Sequence, residues 1–485
     1  MRTCPKCGAI TPDDLEICLE CAAAAIEDSP TSTVSVSSMS NSRDSLQAAA
    51  SEAIIAPDDL DEGEGTAYDH SDRLSRLTTA YALTAPIDPS EILSCMPTLE
   101  YLARKKQQAI PDVFQQFHFI FILHFLSDLI GFMEALRMLG LPWERAHFLY
   151  KDYLYPHRDR IVRQLVGHRA DVMPLSKENP DVLKTVLTNI INESKSDGRK
   201  IIVVEDGGYI VPLVHREFSA DIDSFQGAVE QTTKGVNQDL EVRPLRFPVL
   251  SVAGAKIKLA KESPEVAKAV WKNILDLLWN RDPREFDTVL VVGYGSIGSF
   301  LAKYLKSSGI GDVRVFDQDP NRRDEAKTAG FNVADDMIDL IKGKPGLIVI
   351  GATGKASIGR RELLALENNS ILVSASSDQH EIGVIELKLL SDNPKPIHRP
   401  VTGEKTGDRY RIRRTNNEVT LLAEGFPVNF WYAESLPYRI SQVPLVPLYL
   451  SAIALASRID ELEAGEPNAT FVDQLVDEEE VYDEL

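Results

Sequence analysis

The chain has 485 residues, with 52 Lys and Arg against 73 Asp and Glu and a formal net charge of −21 at pH 7. That length allows roughly three domains at about 150 residues each, or two large ones, and 44% hydrophobic residues suffice for a sizeable core, which excludes whole-chain disorder. So acidic a chain repels phosphate unless its charge is segregated, so nucleic acid is not an expected partner.

Residues 1–25 carry Cys4-Pro5-Lys6-Cys7 and Cys18-Leu19-Glu20-Cys21, two C-x2-C pairs ten residues apart. Two such knuckles complete a tetrahedral thiolate site, the closed geometry of structural zinc, and the metal supplies folding free energy that so short a segment cannot. Cys4, Cys7, Cys18 and Cys21 are therefore expected to bind Zn2+ in a zinc ribbon, a module that can bind a protein partner. Cys95 is the remaining cysteine and reads as a small buried hydrophobe. Five cysteines do not make a disulfide scaffold, and the N-terminus shows no apolar signal stretch, so a cytoplasmic location is expected.

Residues 26–75 read as a disordered, Ser-rich acidic linker. Within 22–73 eleven acids face Arg43 and Arg73, and there is no Trp or Phe to repay the entropy of ordering. The most apolar stretch, Phe117–Leu141, is interrupted by His118, His124, Asp128, Glu134 and Arg137. A membrane span needs about 20 residues with few charges, so no membrane is expected, and the stretch reads as a buried helix.

Phe286–Gly293 reads as a buried parallel strand, since Thr288-Val289-Leu290-Val291-Val292 is a continuous β-branched run. It enters Gly293-Tyr294-Gly295-Ser296-Ile297-Gly298, after which Ile297, Leu301, Tyr304 and Leu305 recur at helical spacing. A strand, a G-x-G-x-x-G turn and a helix form the fingerprint of a dinucleotide fold. Gly293 makes the tight turn, Gly295 admits the pyrophosphate, Gly298 allows helix–strand packing, and the helix N-terminus favours the phosphate charge. A second strand, Val313–Phe316, ends in Asp317, placed where a ribose-hydroxyl acceptor belongs, which favours NAD over NADP. Arg314, Arg322 and Arg323 leave NADP as an alternative, and a Rossmann fold kept as an empty scaffold is another. Strands at Gly346–Gly351 and Ser370–Ala375 continue the alternation.

Residues 459–485 hold eleven acids and no Lys or Arg and read as a solvated acidic tail, or as a segment that docks on a basic partner. With the ends removed, residues 74–458 come to a net charge of only +1.

Several segments in fixed order resemble S-adenosylhomocysteine hydrolase (adenosylhomocysteinase). They are Leu123-His124 through Leu139-Gly140, Val204-Glu205-Asp206-Gly207-Gly208, Val229–Val236, Val252–Glu262, Gly293–Gly298, Asp317-Gln318-Asp319-Pro320, Asp408-Arg409-Tyr410-Arg411, and Leu421–Gly425 with Val428-Asn429. The resemblance implies an α/β protein. A substrate-side α/β domain at 76–265 would be rejoined by 433–458, and a Rossmann NAD-binding domain would occupy 266–432. In that family a bound NAD oxidises the 3′-position of the substrate ribose, the acidified 4′ proton is lost, homocysteine is eliminated, water adds and the ring is reduced back. Carried over, His124 is an acid/base group, Asp206 a carboxylate base, and Lys258 with Glu262 the pair that deprotonates the 3′-hydroxyl. Thr232, Thr233, Gly293, Gly295, Ser296, Ile297, Gly298, Asp317, Thr353 and Asn429 are the implied cofactor contacts.

The sequence also departs from the family. Gln231 replaces a catalytic Glu, Glu262 a shorter carboxylate, Ser377 and Leu436 histidines, and Leu126 a threonine. The family's C-terminal arm, which completes a neighbouring subunit's NAD site, has no counterpart. The resemblance implies a homo-oligomer acting on a nucleoside-type small molecule. The function is expected to be NAD-dependent 3′-oxidation and thioether hydrolysis of S-adenosylhomocysteine or a relative. The alternatives are an altered paralog that senses NAD or a nucleoside and regulates a partner, and a zinc-ribbon adaptor.

Overall fold

The structure, a computed structural model, describes residues 2–3, 10–11 and 86–485, apart from 152–153, 176–179, 280, 282–285 and 377–378. The chain divides into two units, Met1–Leu74 and Ser75–Leu485. In the first, β1 (Arg2–Thr3) pairs antiparallel with β2 (Ile10–Thr11). The four expected zinc ligands and the linker lie outside the described residues.

The second unit contains two parallel sheets. The first is built from β3 (Phe117–Ile122), β4 (Ala146–Lys151), β5 (Asp171–Leu175), β6 (Lys200–Glu205), β7 (Phe225–Glu230) and β8 (Val249–Ser251), in the order β5-β4-β3-β6-β7-β8. The second comprises β9 (Thr288–Val292), β10 (Asp312–Phe316), β11 (Asn332–Val333), β12 (Ile348–Gly351), β13 (Ser370–Ser374), β14 (Lys395–His398), β15 (Lys405–Arg411) and β16 (Glu418–Leu422). Its order is β11-β10-β9-β12-β13-β16-β15-β14, and only the β14–β15 and β15–β16 pairings are antiparallel. Taking the six parallel strands of each sheet in chain order, both follow the doubly wound order 3-2-1-4-5-6. Each therefore has a point, between β3 and β6 or between β9 and β12, where the strand order reverses.

The sequence explains these strands directly. Ile201, Ile202, Val203 and Val204 of β6 and Val289, Leu290, Val291 and Val292 of β9 are buried almost completely, as strands covered by helices on both faces must be. The strands expected around Val289, Val313, Ile348 and Ile371 are all present, as is the helix after the glycine turn, Ser296–Ser307, which buries Leu301 and Leu305.

Three expectations are corrected. Phe117–Leu141 is not one helix but the strand β3 followed by the helix Asp128–Arg137. An apolar run with no clear period fits a buried strand and a buried helix alike, and pairing of Phe117–Ile122 with β6 decides the matter. Cys95 is exposed at the end of the helix Pro89–Ser94 rather than buried.

The third correction concerns the acidic tail, which is folded on the protein. Asn468 caps a helix, Ala469–Glu478, by accepting from the Phe471 amide at 3.0 Å. Phe471, Val472, Leu475 and Val476 face inward at helical spacing and join the core beneath the first sheet. The tail acids find basic partners in the body itself. Glu479 pairs with Lys105 at 2.7 Å and with Lys106, and Glu478 with Arg458 at 2.6 Å.

The helix Tyr438–Ser457 is apolar and long enough to cross a membrane, with a mean hydropathy of 1.5, but 83% of that window is buried inside the protein, packed on β6 and β7. It returns the chain from the second sheet to the first. The helix Ser263–Leu277 leads the other way and packs on Ser296–Ser307 and on the turn Val428–Phe430.

Candidate active site

The carboxyl ends of β3, β6 and β7 and those of β9, β10 and β12 open onto one cleft of about 930 Å3. Both reversal points face it, which is where ligands of doubly wound sheets bind. His124, Asp206, Lys258 and Glu262 line the cleft. So do Thr232, Thr233, Gly293, Gly295, Ser296, Ile297, Asp317, Thr353 and Asn429. Gly298 lies just behind, where a Cβ would stand 1.9 Å from the Gly293 carbonyl oxygen, so only glycine permits that packing. Of the departures, Leu126, Gln231 and Leu436 also line the cleft, while Ser377 is outside the described residues. His380 is not part of the lining.

The first sheet supplies charged side chains. Asp206 follows β6 and is buried. One of its oxygens is 3.2 Å from His124 Nε2, and the other pairs with Lys151 at the end of β4. Burial alone would raise the Asp206 carboxyl, but Lys151 and His124 outweigh it and hold the group well below the usual carboxylate range. His124 is fixed on three sides. Its Nδ1 bonds the Tyr155 hydroxyl, its Nε2 faces Asp206, and its ring stacks on Phe430 at 4.1 Å between centroids. Lys258 and Glu262 pair at 2.9 Å across a single π-helical turn, Lys258–Glu262, that opens into the helix Ser263–Leu277. Such wide turns are frequent at functional sites.

Further buried carboxyls lie behind these groups. Glu230 accepts from the amides of Gly207, Gly208 and Thr232 and from the Thr232 hydroxyl, which ties β7 to the Asp206 turn. Burial, with Glu205 and Asp206 nearby, pushes its pKa up to about 8. Asp239 has no hydrogen-bond partner on either oxygen, and burial with Glu205 and Glu230 pushes it up to about 10, so it holds a proton at neutral pH. At the cleft wall, burial and then Glu434 push Asp128 up to about 7.

The second sheet supplies backbone. Gly293 has φ +102° and turns the chain out of β9, and the helix N-terminus at Ser296 points its free amides at the cleft. Asp317 at the end of β10 accepts from the Tyr294 amide at 2.6 Å and the Asp319 amide at 2.9 Å, which fixes its carboxylate beside the turn. Thr353 and Gly354, after β12, are held by Glu381. This buried carboxylate also accepts from the Ser357 and Ser376 hydroxyls. Asn429 donates to Ser435 at 3.0 Å, while its buried Oδ1 has no partner. That spare acceptor fits an amide ligand such as the nicotinamide carboxamide, and the glycine turn and Asp317 fit a dinucleotide. Arg314 is turned away, buried against Asp312 and the Leu340 carbonyl, whereas Arg322 reaches the cleft.

Sequence reasoning did not single out Lys151, Tyr155, Glu230 or Glu381. Glu230 and Lys234 flank the Gln231–Thr233 segment, and that proximity was the one available signal for Glu230. The others reach the site from segments distant along the chain.

Residues 286–435 match the family described as S-adenosyl-L-homocysteine hydrolase, NAD binding domain. The chain is similar to adenosylhomocysteinases and their relatives. It is 30% identical over 295 residues to an adenosylhomocysteinase of Pyrococcus abyssi, covering 58% of this chain and 64% of that protein. An S-inosyl-L-homocysteine hydrolase of Methanocaldococcus jannaschii is 28% identical over 289 residues, 58% of this chain and 65% of its own length. An uncharacterised protein of Mycobacterium tuberculosis is 26% identical over 281 residues, 57% of this chain and 50% of its own length. The chain thus spans half to two thirds of the length of these three relatives.

Proposed function

We propose that this protein binds NAD in the cleft and oxidises a ribose hydroxyl of a nucleoside thioether of the S-adenosylhomocysteine class. The observation that carries this reading is the shared cleft, in which a dinucleotide turn and the spare Asn429 acceptor face His124, Asp206, Lys258 and Glu262. NAD, when bound, supplies the hydride acceptor. Lys258, paired with Glu262, takes the hydroxyl proton. Asp206, kept ionised by Lys151 and His124, works with His124 to move a proton at the neighbouring carbon or the leaving sulfur. Thr232 and Thr233 hold the ligand from β7, and Phe430 excludes water from the His124 ring.

A second reading rests on Gln231 and Leu436, which line the same cleft but cannot transfer protons. On that reading, oxidation occurs without thioether cleavage, or the cleft serves as an NAD- or nucleoside-responsive sensor. The Cys4, Cys7, Cys18 and Cys21 motif is a structural Zn2+ site for attaching a protein partner, and the chain assembles as a homo-oligomer.

The test starts with denaturing the purified protein and identifying released nucleotides by mass spectrometry. NAD is expected, and no nucleotide released or taken up would overturn the proposal. Adding S-adenosylhomocysteine to NAD-loaded protein then separates the readings, because free thiol marks hydrolysis and reduced nicotinamide without thiol marks the half-reaction.

A further inference from the structure

The first sheet carries a second polar cluster at its other end. His118 is the second residue of β3 and His147 the second of β4, whereas the cleft lies beyond the last residues of the same strands. At about 3.3 Å per residue, the six residues from His118 to His124 separate the two places by roughly 20 Å. Both histidines are buried, at 2% and 5% exposure, and their rings stack with a tilt of 18°.

Each imidazole has one nitrogen held by a carboxylate and one left over. His118 Nε2 lies 3.1 Å from Asp197, and His147 Nδ1 lies 3.4 Å from Asp171. His118 Nδ1 and His147 Nε2 are buried and have no hydrogen-bond partner. Glu193, four residues before Asp197 on the helix Pro180–Asp197, brings its carboxylate to 3.9 Å from His147 Nε2. One ligand atom from each of His118, His147 and Glu193 lies within 4.8 Å of the others.

A buried imidazole nitrogen without a partner costs free energy that a hydrogen bond or a metal would recover. Carboxylates on the opposite ring nitrogens are the arrangement that orients metal-bound histidines and raises their basicity. Nearby charge also permits a cation. Arg145 and Arg199 stand at the rim, but Asp171, Glu193 and Asp197 outnumber them, and Arg199 is already paired with Asp197 at 2.9 Å.

We propose that His118, His147 and Glu193 bind a divalent d-block cation of the zinc class, with Asp197 and Asp171 holding the imidazoles. Two imidazoles and one carboxylate suit Zn2+ or Co2+ over Ca2+ or Mg2+, which prefer all-oxygen sites. The ion would tie the starts of β3 and β4 to the helix Pro180–Asp197, leaving a fourth position for water.

The test must exclude the cysteine motif, so it uses the full-length Cys4→Ser/Cys7→Ser protein, stripped with a chelator and titrated with Zn2+ by calorimetry. One Zn2+ per chain is expected, and Co2+ should give a ligand-field spectrum without thiolate charge-transfer bands. Glu193 is exposed, so Glu193→Gln leaves the fold intact and should weaken binding about 10- to 100-fold or more. His147→Gln should abolish it, with circular dichroism confirming the fold. No stoichiometric uptake, or uptake unchanged by Glu193→Gln and His147→Gln, would overturn the proposal.

Discussion

The two sheets of this protein share a strand order and meet at one cleft, yet they present opposite chemistry there. The first puts ionisable side chains at its reversal point, with Asp206, His124 and Lys151 bonded to one another and Lys258 with Glu262 alongside. The second puts backbone there, with the Gly293–Gly298 turn, a helix N-terminus and a loop clamped by Glu381. Identical topology therefore fixes where a ligand sits but not what is done to it. On the proposed reading the first sheet moves protons and the second holds a dinucleotide.

That division can be broken by experiment. Lys258→Met should lower the rate of nicotinamide reduction by about 10²- to 10⁴-fold, the usual worth of a positioned acid or base, while bound NAD per chain stays unchanged. Loss of NAD with the rate would move Lys258 to the holding side. Gly298→Val should do the reverse, because its added atoms collide with the Gly293 carbonyl, and NAD should no longer co-purify. If the variant folds and retains NAD, the turn does not hold the cofactor.

Two smaller effects sharpen the account of what supports each side. Leu475→Ala in the C-terminal helix should cost about 2–5 kcal/mol by chemical denaturation, as for other buried leucines, whereas a solvated tail would show no change. Asp239→Asn should alter the pH dependence of stability. In the unfolded chain Asp239 loses its proton near 3.8, and in the folded protein it keeps it to about 10. Its contribution is therefore most favourable at low pH and declines as pH rises through that window, by at most about 1.4 kcal/mol per pH unit. The variant's melting temperature should gain on the parent as pH increases from 6 to 8, and parallel curves would contradict the assigned protonation.

The second sheet was the more legible in sequence because its function is written in local residues. β-branched runs, three glycines and an acid at the end of the next strand are adjacent along the chain, and all fall where expected. The first sheet was harder to read. Asp206 and His124 were visible through resemblance, but Lys151 reaches Asp206 from 55 residues away. Even in the second sheet, Glu381 reaches the Thr353 hydroxyl from 28 residues away. No local pattern records such pairings. The tail misled for a different reason. Its acidic composition hid the spacing of Phe471, Val472, Leu475 and Val476, and a net charge near zero for the body concealed Lys105, Lys106 and Arg458, which receive the tail.

The central claim is that proton-moving side chains and a dinucleotide-holding backbone act on one substrate in one cleft. Mixing the NAD-loaded protein with S-adenosylhomocysteine and following the absorbance of reduced nicotinamide tests it most directly. The account predicts absorbance that rises with substrate in the parent protein and is lost in Lys258→Met. A protein that holds NAD but shows no reduction with S-adenosylhomocysteine or its inosyl analogue would contradict it.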